Sequence, residues 1–310
     1  MSSAKDPAEY TPSALDACLN TLGTLVKAIG AQYDARIVVV GGLVPNLLMD
    51  EEALDPLFTG NKHAGTNDVD LCIELDLRAE DDAMYQCLES TLLRYSFTKV
   101  QRDRGESKKW SWVRQSETSA VIVDLLCDKD GISARGVGRI ARDQATGPGD
   151  SIGALRVKGA HLAFIDPVEK TISIDLLDDG GRSKVTVRVA NILAFIVLKS
   201  FALKGRSEPK DAYDLVWILM RWNGGPRAAA AAARSCRGAD HQDVETALAI
   251  LADEFASTDM SGCVGYASFS MALERLTDSN TRAIRLRDAN GTVAEFIRSW
   301  QDAQPSVAAD

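Results

Sequence analysis

A strand-like segment that begins with two carboxylates constrains this chain more than any other feature. Residues Val69 to Leu75 alternate in character, which predicts a β-strand. Asp68 and Asp70 lie two residues apart at its start, so both side chains point to the same face. Two carboxylates on one edge repel each other unless a cation lies between them, and oxygen ligands at this spacing suit Mg²⁺ held together with substrate phosphates. A polar start to an ordinary strand is the alternative for this segment taken alone.

A third carboxylate and a glycine pair accompany these two acids. Asp124 lies inside the apolar, strand-length run Ala120–Cys127, where an unpartnered carboxylate is costly, so we expect a cation or a hydrogen-bond donor beside it. Upstream, residues 36–40 predict a buried strand that ends at Gly41-Gly42 and is followed by a helical run over 43–49. Glycines at such a turn allow backbone N–H groups to approach a phosphate, although a simple tight turn explains them equally well.

Hydrophobic periodicity predicts the remaining elements of the first two thirds of the chain. An amphipathic helix is predicted over 12–29, a second helix over 79–94, and strands near 97–102, 109–114 and 120–127. The acidic segment Asp50–Gly60 is predicted to be a loop insertion, and the Gly-rich residues 131–153 are also predicted to be loop. Short strands are expected within 154–166 and 171–189, with Asp178-Asp179-Gly180-Gly181 as a hairpin turn.

The chain becomes helical from Ala190 onward. Helices are predicted at 190–204, 210–222, 226–235, 241–256, 266–276 and 289–302. The predicted architecture is therefore a mixed α/β domain over residues 1–189, followed by a helical C-terminal domain over residues 190–310.

Composition indicates a globular protein of the cell interior. No apolar run approaches the ~20 residues that span a bilayer, and the first residues lack the apolar core of a secretory signal. The six cysteines show no metal-type spacing. We therefore expect a cytoplasmic protein without a membrane segment, a zinc site or a disulfide framework.

The net charge of −9 argues against a general nucleic-acid-binding protein, which would present a basic face. Two segments, 99–114 and 182–210, are nevertheless rich in Lys and Arg, and Trp110 and Trp112 lie within the first. Basic and aromatic side chains together could hold an RNA backbone and stack on bases. Because the two tryptophans alternate along a strand, however, the favoured interpretation is that they pack inward.

The glycine pair, Asp68/Asp70 and Asp124 together resemble the signature of the DNA polymerase β-like nucleotidyltransferase superfamily. A second block, Leu198–Arg206 followed by Pro209–Leu215, is similar to the Lys…Ala-Leu…Arg…Lys-Asp-x-x-Asp-Leu motif of the AbiEii-like nucleotidyltransferases, which include the MenT-type toxins. The resemblance covers residues 30–222. It implies an α+β fold, in which a polymerase β-like nucleotidyltransferase core with a mixed sheet precedes a helical C-terminal domain.

The resemblance also implies roles for individual residues. The metal ligands would be Asp68, Asp70 and Asp124, with Mg²⁺ or Mn²⁺ as cofactor and an NTP as substrate. Lys199 would bind the triphosphate, and Asp211 would orient Lys199 or bind the nucleotide. The nucleotide-binding residues implied are Gly41, Gly42, Thr66, Lys199, Arg206 and Lys210, and the catalytic residues are Asp68, Asp70, Asp124, Lys199 and Asp211.

Two neighbouring residues receive no catalytic role at this point. Asp214 is interpreted as a residue that complements the dipole at the start of a helix that begins near Pro209. His63 has no partner at metal-ligand spacing and is interpreted as an exposed loop residue.

Three functions are consistent with these residues. The favoured one is a metal-dependent transferase that moves an NMP from an NTP to an acceptor hydroxyl, as a toxin of a toxin–antitoxin or abortive-infection system that acts on tRNA and is paired with a cognate antitoxin. The second is transfer to a small molecule, such as an aminoglycoside, or to a protein hydroxyl. The third is a non-catalytic nucleotide-binding or interaction protein with the same fold.

Overall fold

The computed structural model describes residues 7–30, 35–49, 62–74, 79–101, 107–115, 120–128 and 152–302. Contacts within the chain divide these residues into two compact units. The sheet unit consists of the described residues in the ranges Glu9–Leu47 and Gly65–Ala190. The helical unit consists of the described residues in the ranges Met1–Ala8, Leu48–Ala64 and Asn191–Asp310.

The sheet unit is built on a mixed sheet, which in the described residues has eight strands. They are β1 (Ile37–Val40), β2 (Asp68–Ile73), β3 (Thr98–Gln101), β4 (Ser107–Gln115), β5 (Ala120–Asp128), β6 (Leu155–Val157), β7 (Val168–Asp175) and β8 (Arg182–Val189). The strand order is β3-β4-β5-β2-β1-β8-β7, and β6 pairs with β5. The pairs β2/β5, β1/β8 and β5/β6 are parallel, whereas the other pairs are antiparallel.

The two faces of the central strands β2 and β5 differ in character. Val69, Leu71, Val123 and Leu125 point to one face and are fully buried. Helix α1 (Pro12–Ile29) packs on this sheet and contacts β2, β5, β7 and β8. The other face carries the acids, because alternate residues of a strand point to opposite sides.

Helix α1 has the bounds that its apolar periodicity predicts. It begins where the Thr11 hydroxyl accepts a hydrogen bond from the Ala14 N–H (3.2 Å), with Pro12 in the first turn, and it ends at Gly30, whose φ is +83°. Helix α2 (Val44–Leu48) follows a 3-10 helix at Gly41–Leu43, and α3 (Ala79–Arg94) also has its predicted bounds. Local signals at helix ends predict these bounds because they lie in the sequence next to the helix and do not depend on tertiary contacts.

The β7–β8 hairpin confirms the turn predicted at Asp178–Gly181. The two strands pair antiparallel from Val168/Val189 to Asp175/Arg182. Asp178 and Asp179 both have a φ of +55°, and Gly181 has a φ of +78°. These residue types tolerate the left-handed conformation that closes the hairpin.

The helical unit contains six α-helices in its described residues: α4 (Ile192–Arg206), α5 (Pro209–Arg221), α6 (Gly225–Ser235), α7 (Gln242–Glu254), α8 (Ser261–Glu274) and α9 (Ser279–Asp302). Helix α4 is buried over all of its residues from Ile192 to Ser200 and contacts α5, α6 and α7. An all-round apolar helix is the pattern of a central element, and α4 has that position in the unit. The predicted α+β class, with a mixed sheet followed by helices, is confirmed.

Helices α8 and α9 begin earlier than predicted, at Ser261 and Ser279 instead of 266 and 289. The first ten residues of α9 are rich in Arg and contribute no buried side chain, so no apolar pattern reveals them. They are supported by the Asp278 carboxylate, which accepts from the Thr281 N–H (2.7 Å), and by the ion pair between Arg285 and Glu274 (2.8 Å).

Two predicted loops, Asp50–Gly60 and most of 131–153, lie outside the described residues. Within the described residues, none of the helices has the length and apolar character that crossing a membrane requires.

Candidate active site

The three predicted metal-binding acids lie on one face of the sheet unit. Strands β2 and β5 are parallel and in register, so Asp70 is paired with Asp124 and Asp68 with Ile122. Paired residues in adjacent strands point to the same side, and Asp68 is two residues from Asp70 on that side. All three carboxylates are half-buried. The sheet therefore brings together acids that are more than fifty residues apart in the sequence.

Strand β1 brings the glycine pair to the same place. Val40 is paired with Asp70, and the chain then turns at Gly41, whose φ is +71°. A Cβ on Gly41 would lie 2.7 Å from Cγ of Asp70 and closer still to its Oδ2. Gly41 is thus required both by its backbone conformation and by the carboxylate that lies against it. The glycine pair predicted either a phosphate-binding turn or a simple tight turn, and no sequence pattern indicated this contact with the acid.

Thr66 shapes the approach to the acids. Its hydroxyl accepts a hydrogen bond from the Asp68 N–H (3.1 Å), and its carbonyl accepts from the Cys18 thiol (3.4 Å). Thr66 is 4% exposed. The residue therefore fixes the backbone where β2 begins, and nucleotide binding by Thr66 stays a prediction.

The far end of the acid face is closed by a 3-10 helix at Ala160–Phe164. The Cys72 thiol donates to the Ala160 carbonyl (3.8 Å), and the Asp128 carboxylate accepts from the backbone N–H of His161 (3.3 Å). Burial, and then the neighbouring Cys127 and acids, raise the pKa of Cys72 well above its ordinary value. This thiol is therefore protonated at neutral pH and packs against the 3-10 helix.

The Lys/Asp block of the helical unit forms one buried ion cluster. Lys199 Nζ lies 2.8 Å from Asp211 Oδ1 and 2.7 Å from Asp214 Oδ2. Arg206 donates two hydrogen bonds to Asp211, from Nε (2.7 Å) and Nη2 (2.8 Å). Lys210 Nζ lies 2.8 Å from Asp214 Oδ1. The cluster joins the end of α4 to the start of α5, and it contains the four predicted functional residues of this block.

The pKa values of the cluster follow from burial and charge pairing. Burial alone would lower the pKa of Lys199, but the carboxylates of Asp211 and Asp214 outweigh it and raise that pKa above its ordinary value. Burial likewise opposes ionisation of the two acids, yet Lys199 and its neighbouring cations hold the pKa of Asp211 low and that of Asp214 lower still. Burial lowers the pKa of Lys210, against the opposing effect of Asp214. The acids are therefore ionised at neutral pH.

The predictions for Asp214 and His63 are wrong. Asp214 is 0% exposed and lies in the second turn of α5, where it accepts hydrogen bonds instead of complementing the helix dipole. His63 is 5% exposed, and its Nε2 lies 2.9 Å from Asp214 Oδ1. Its ring packs edge-on against Trp217, with centroids 4.9 Å apart. Burial lowers the pKa of His63, although Asp214 acts in the opposite direction.

These two misses have different causes. The Lys210/Asp214 spacing of four residues is a recognisable helix-pair signal and could have indicated the ion pair. No sequence signal links His63 to Asp214, because 151 residues separate them.

The basic and aromatic segment Lys99–Arg114 does not present both tryptophans as a stacking surface. Trp112 is 1% exposed, which confirms that it packs inward, and Trp110 is half-buried. The Lys99 ammonium lies over the Trp112 ring, 5.2 Å from its centroid. The Arg114 guanidinium pairs with Asp178 (2.6 Å). Lys99 and Arg114 therefore have partners within the sheet unit.

The donor set of the acid face fits a divalent cation. Three carboxylates supply hard oxygen ligands, and their mutual repulsion favours bound positive charge. The close contact with Gly41 also restricts the position of the Asp70 carboxylate. The residues that could hold Mg²⁺ or Mn²⁺ are thus Asp68, Asp70 and Asp124.

Comparisons with curated proteins and with solved structures give one weak structural likeness. None of the curated proteins compared with the chain matches it. Among solved structures, the chain is similar to an antigenic nucleotidyltransferase-like protein from Paracoccidioides brasiliensis, with 16% identity and a TM-score of 0.40 over 87% of this chain and 96% of that one. A TM-score this low carries no argument about function.

A family model gives the stronger evidence. The model described as "Nucleotidyl transferase AbiEii toxin, Type IV TA system" matches residues 158–289, which include the whole Lys/Asp block. The resemblance of this chain to the AbiEii-like nucleotidyltransferases is thereby confirmed over that range, and with it the prediction of a nucleotidyltransferase.

Proposed function

We propose that the protein transfers an NMP from an NTP to an acceptor hydroxyl and depends on a divalent metal held by Asp68, Asp70 and Asp124. The observation that carries this proposal is the registered pair Asp70/Asp124, with Asp68 on the same face and Gly41 packed against Asp70. A merely structural strand start would not need three carboxylates on one face, together with a glycine that leaves room for one of them.

The chemistry assigns a task to each group. Mg²⁺ or Mn²⁺, when bound, neutralises charge on the triphosphate and orients its α-phosphate. The acceptor oxygen forms a bond to the α-phosphorus as the bond to pyrophosphate breaks, and Asp124 takes the proton of the acceptor hydroxyl. Asp68 and Asp70 would hold the cation, and a substrate held in line for attack loses less entropy on the way to the transition state.

The ion cluster of the helical unit carries an excess of positive charge. Lys199, Arg206 and Lys210 carry three positive charges against the two negative charges of Asp211 and Asp214, while His63 is neutral. One net positive charge therefore remains in the cluster. Asp211 holds Lys199 and Arg206 in place, which supports the role of Lys199 and Arg206 as phosphate ligands.

The proposal extends to the biological role of the protein, its acceptor and its location. The description of the matching family supports a nucleotidyltransferase toxin of a toxin–antitoxin system, and hence a cognate antitoxin. We propose tRNA as the acceptor and the cytoplasm as the location. Residues 1–189 would form the catalytic domain with its N-terminal helix, and residues 190–310 a helical domain that carries the Lys/Asp block.

The experiment that tests this function measures transfer of label from each α-³²P-NTP to total tRNA in the presence of Mg²⁺. Wild type is compared with Asp70→Ala and with Asp175→Ala, a control that removes an exposed acid from β7 of the same sheet. We expect one NTP to label tRNA with the wild type and the control, and no label with Asp70→Ala.

Two other outcomes would redirect the proposal. If NTP is consumed while tRNA stays unlabelled, tRNA is excluded, and a small molecule or protein hydroxyl becomes the acceptor to be sought. If wild type and Asp70→Ala give equal transfer, the assignment of the metal-binding acids is wrong.

A further inference from the structure

A hydroxyl group extends the row of acids by one strand. Ser111 of β4 is paired in register with Asp124, which is itself paired with Asp70. Registered neighbours place their Cβ atoms about 5 Å apart on the same face of a sheet. Ser111, Asp124 and Asp70 therefore form a single row across three strands.

The burial pattern of β4 supports this orientation. Trp112, the next residue, is paired with Val123 on the opposite face, and both are fully buried there. Ser111 must then point to the face that carries the acids, because adjacent residues of a strand alternate.

Ser111 is largely buried and has no hydrogen-bond partner for its hydroxyl within the described residues. The residue is 3% exposed, and among the residues that the structure describes its Oγ makes no hydrogen bond. Because no described protein group takes up this hydroxyl, it is available to donate a hydrogen bond to a ligand at the acid face. The carboxylates in its row can only accept hydrogen bonds when ionised, which leaves Ser111 as a donor on an otherwise accepting face.

We infer that Ser111 binds substrate by donating a hydrogen bond to a phosphate oxygen of the NTP held at the acids. This inference rests on the function proposed above. Carboxylates repel a triphosphate unless a cation lies between them, so a neutral donor beside Asp124 contributes attraction that the acids themselves lack. A phosphate oxygen is also a strong acceptor, and hydrogen bonds to charged groups are stronger than neutral ones.

The test measures binding and therefore does not require the acceptor to be known. Isothermal titration with non-hydrolysable analogues of each NTP, in the presence of Mg²⁺, compares wild type, Ser111→Ala and Ser111→Thr. Ser107→Ala is the matched control, because Ser107 lies on the same strand, is exposed, and hydrogen-bonds Gln101. We expect Ser111→Ala to weaken binding about 10- to 100-fold, the loss of one hydrogen bond to a charged group.

Ser111→Thr retains the hydroxyl and should recover most of the affinity, whereas Ser107→Ala should bind as the wild type does. Thermal unfolding of each variant shows whether a weaker affinity reflects lost structure. Wild-type affinity in a folded Ser111→Ala protein, or equal losses in the Ala and Thr variants, would overturn the role of Ser111. If the wild type itself binds none of the analogues, the proposed function fails, and the role of Ser111 fails with it.

Discussion

Gly41→Ala is the substitution that most directly tests the geometry of the acid face. The new methyl group would occupy space that the Asp70 carboxylate now fills, 2.7 Å from its Cγ. Cβ atoms essentially never approach that closely, so either Asp70 or the turn at Gly41 must move. The substitution therefore displaces a proposed metal ligand without changing its chemistry.

The substitution should affect folding stability and the rate of nucleotidyl transfer to different extents. The φ of +71° disfavours an L-residue, which costs about 1–2 kcal/mol of folding stability. Displacing a catalytic group by about 1 Å lowers a rate by about 100-fold, or ~2.7 kcal/mol of transition-state stabilisation. We thus expect a modest loss of stability and a much larger loss of nucleotidyl transfer.

Gly181→Ala is the matched control, because it separates the two effects. Gly181 lies in the β7–β8 hairpin with a φ of +78°, but nothing lies within 4 Å of the position of its Cβ. It should lose similar stability and keep its transfer activity. Both variants are measured by thermal unfolding and by initial rates of label transfer from the NTP. A Gly41→Ala protein that keeps more than about a third of the wild-type rate would contradict this role of Gly41, as would equal losses of activity in both variants.

The remaining predictions concern the ion cluster of the helical unit. Asp214→Asn removes the carboxylate shared by Lys199 and Lys210, so it should lower the free energy of unfolding, measured by urea titration, by about 3–5 kcal/mol. Asp175→Asn, which breaks an exposed ion pair, should lower the free energy of unfolding far less. Because the pKa of Asp214 is lowered by folding, stability should fall below pH ~4, and Asp214→Asn should weaken that fall. Folding also lowers the pKa of His63, so stability should begin to decrease below pH ~6.5, and His63→Gln should remove this earlier decrease.

Each of these expectations can fail on its own. A loss in Asp214→Asn no larger than in the exposed control would mean that the buried pairs contribute little. A thermal midpoint that is constant between pH 6.5 and 5 in the wild type would contradict the neutral state inferred for His63. If Asp214→Asn loses stability below pH ~4 as steeply as the wild type does, other carboxylates are responsible for unfolding in acid.

Local patterns predicted much of the fold. Helix α1 matches its predicted bounds because Thr11, Pro12 and Gly30 mark its ends within a few residues of the chain. The acid strand was predicted because its alternation and its two carboxylates are adjacent in sequence. Helix α9 was predicted ten residues too short, because its first half has no apolar face and its stabilising partners, Glu274 and Asp278, lie outside it.

The candidate site likewise has features that the sequence predicted and features that it did not. The sequence alone determined which residue types are present, namely two acids at strand spacing, a third acid in an apolar run, and a block of Lys and Asp. These features are local, and the resemblance they support does not depend on knowing the fold.

Which of these groups come into contact depends on the tertiary fold. Strand register pairs Asp70 with Asp124, places Ser111 in the same row and sets Gly41 against Asp70. Helix packing buries His63 beside Asp214. Pairing between distant strands and the burial of a charge depend on long-range contacts, which a periodic pattern along a single chain does not encode.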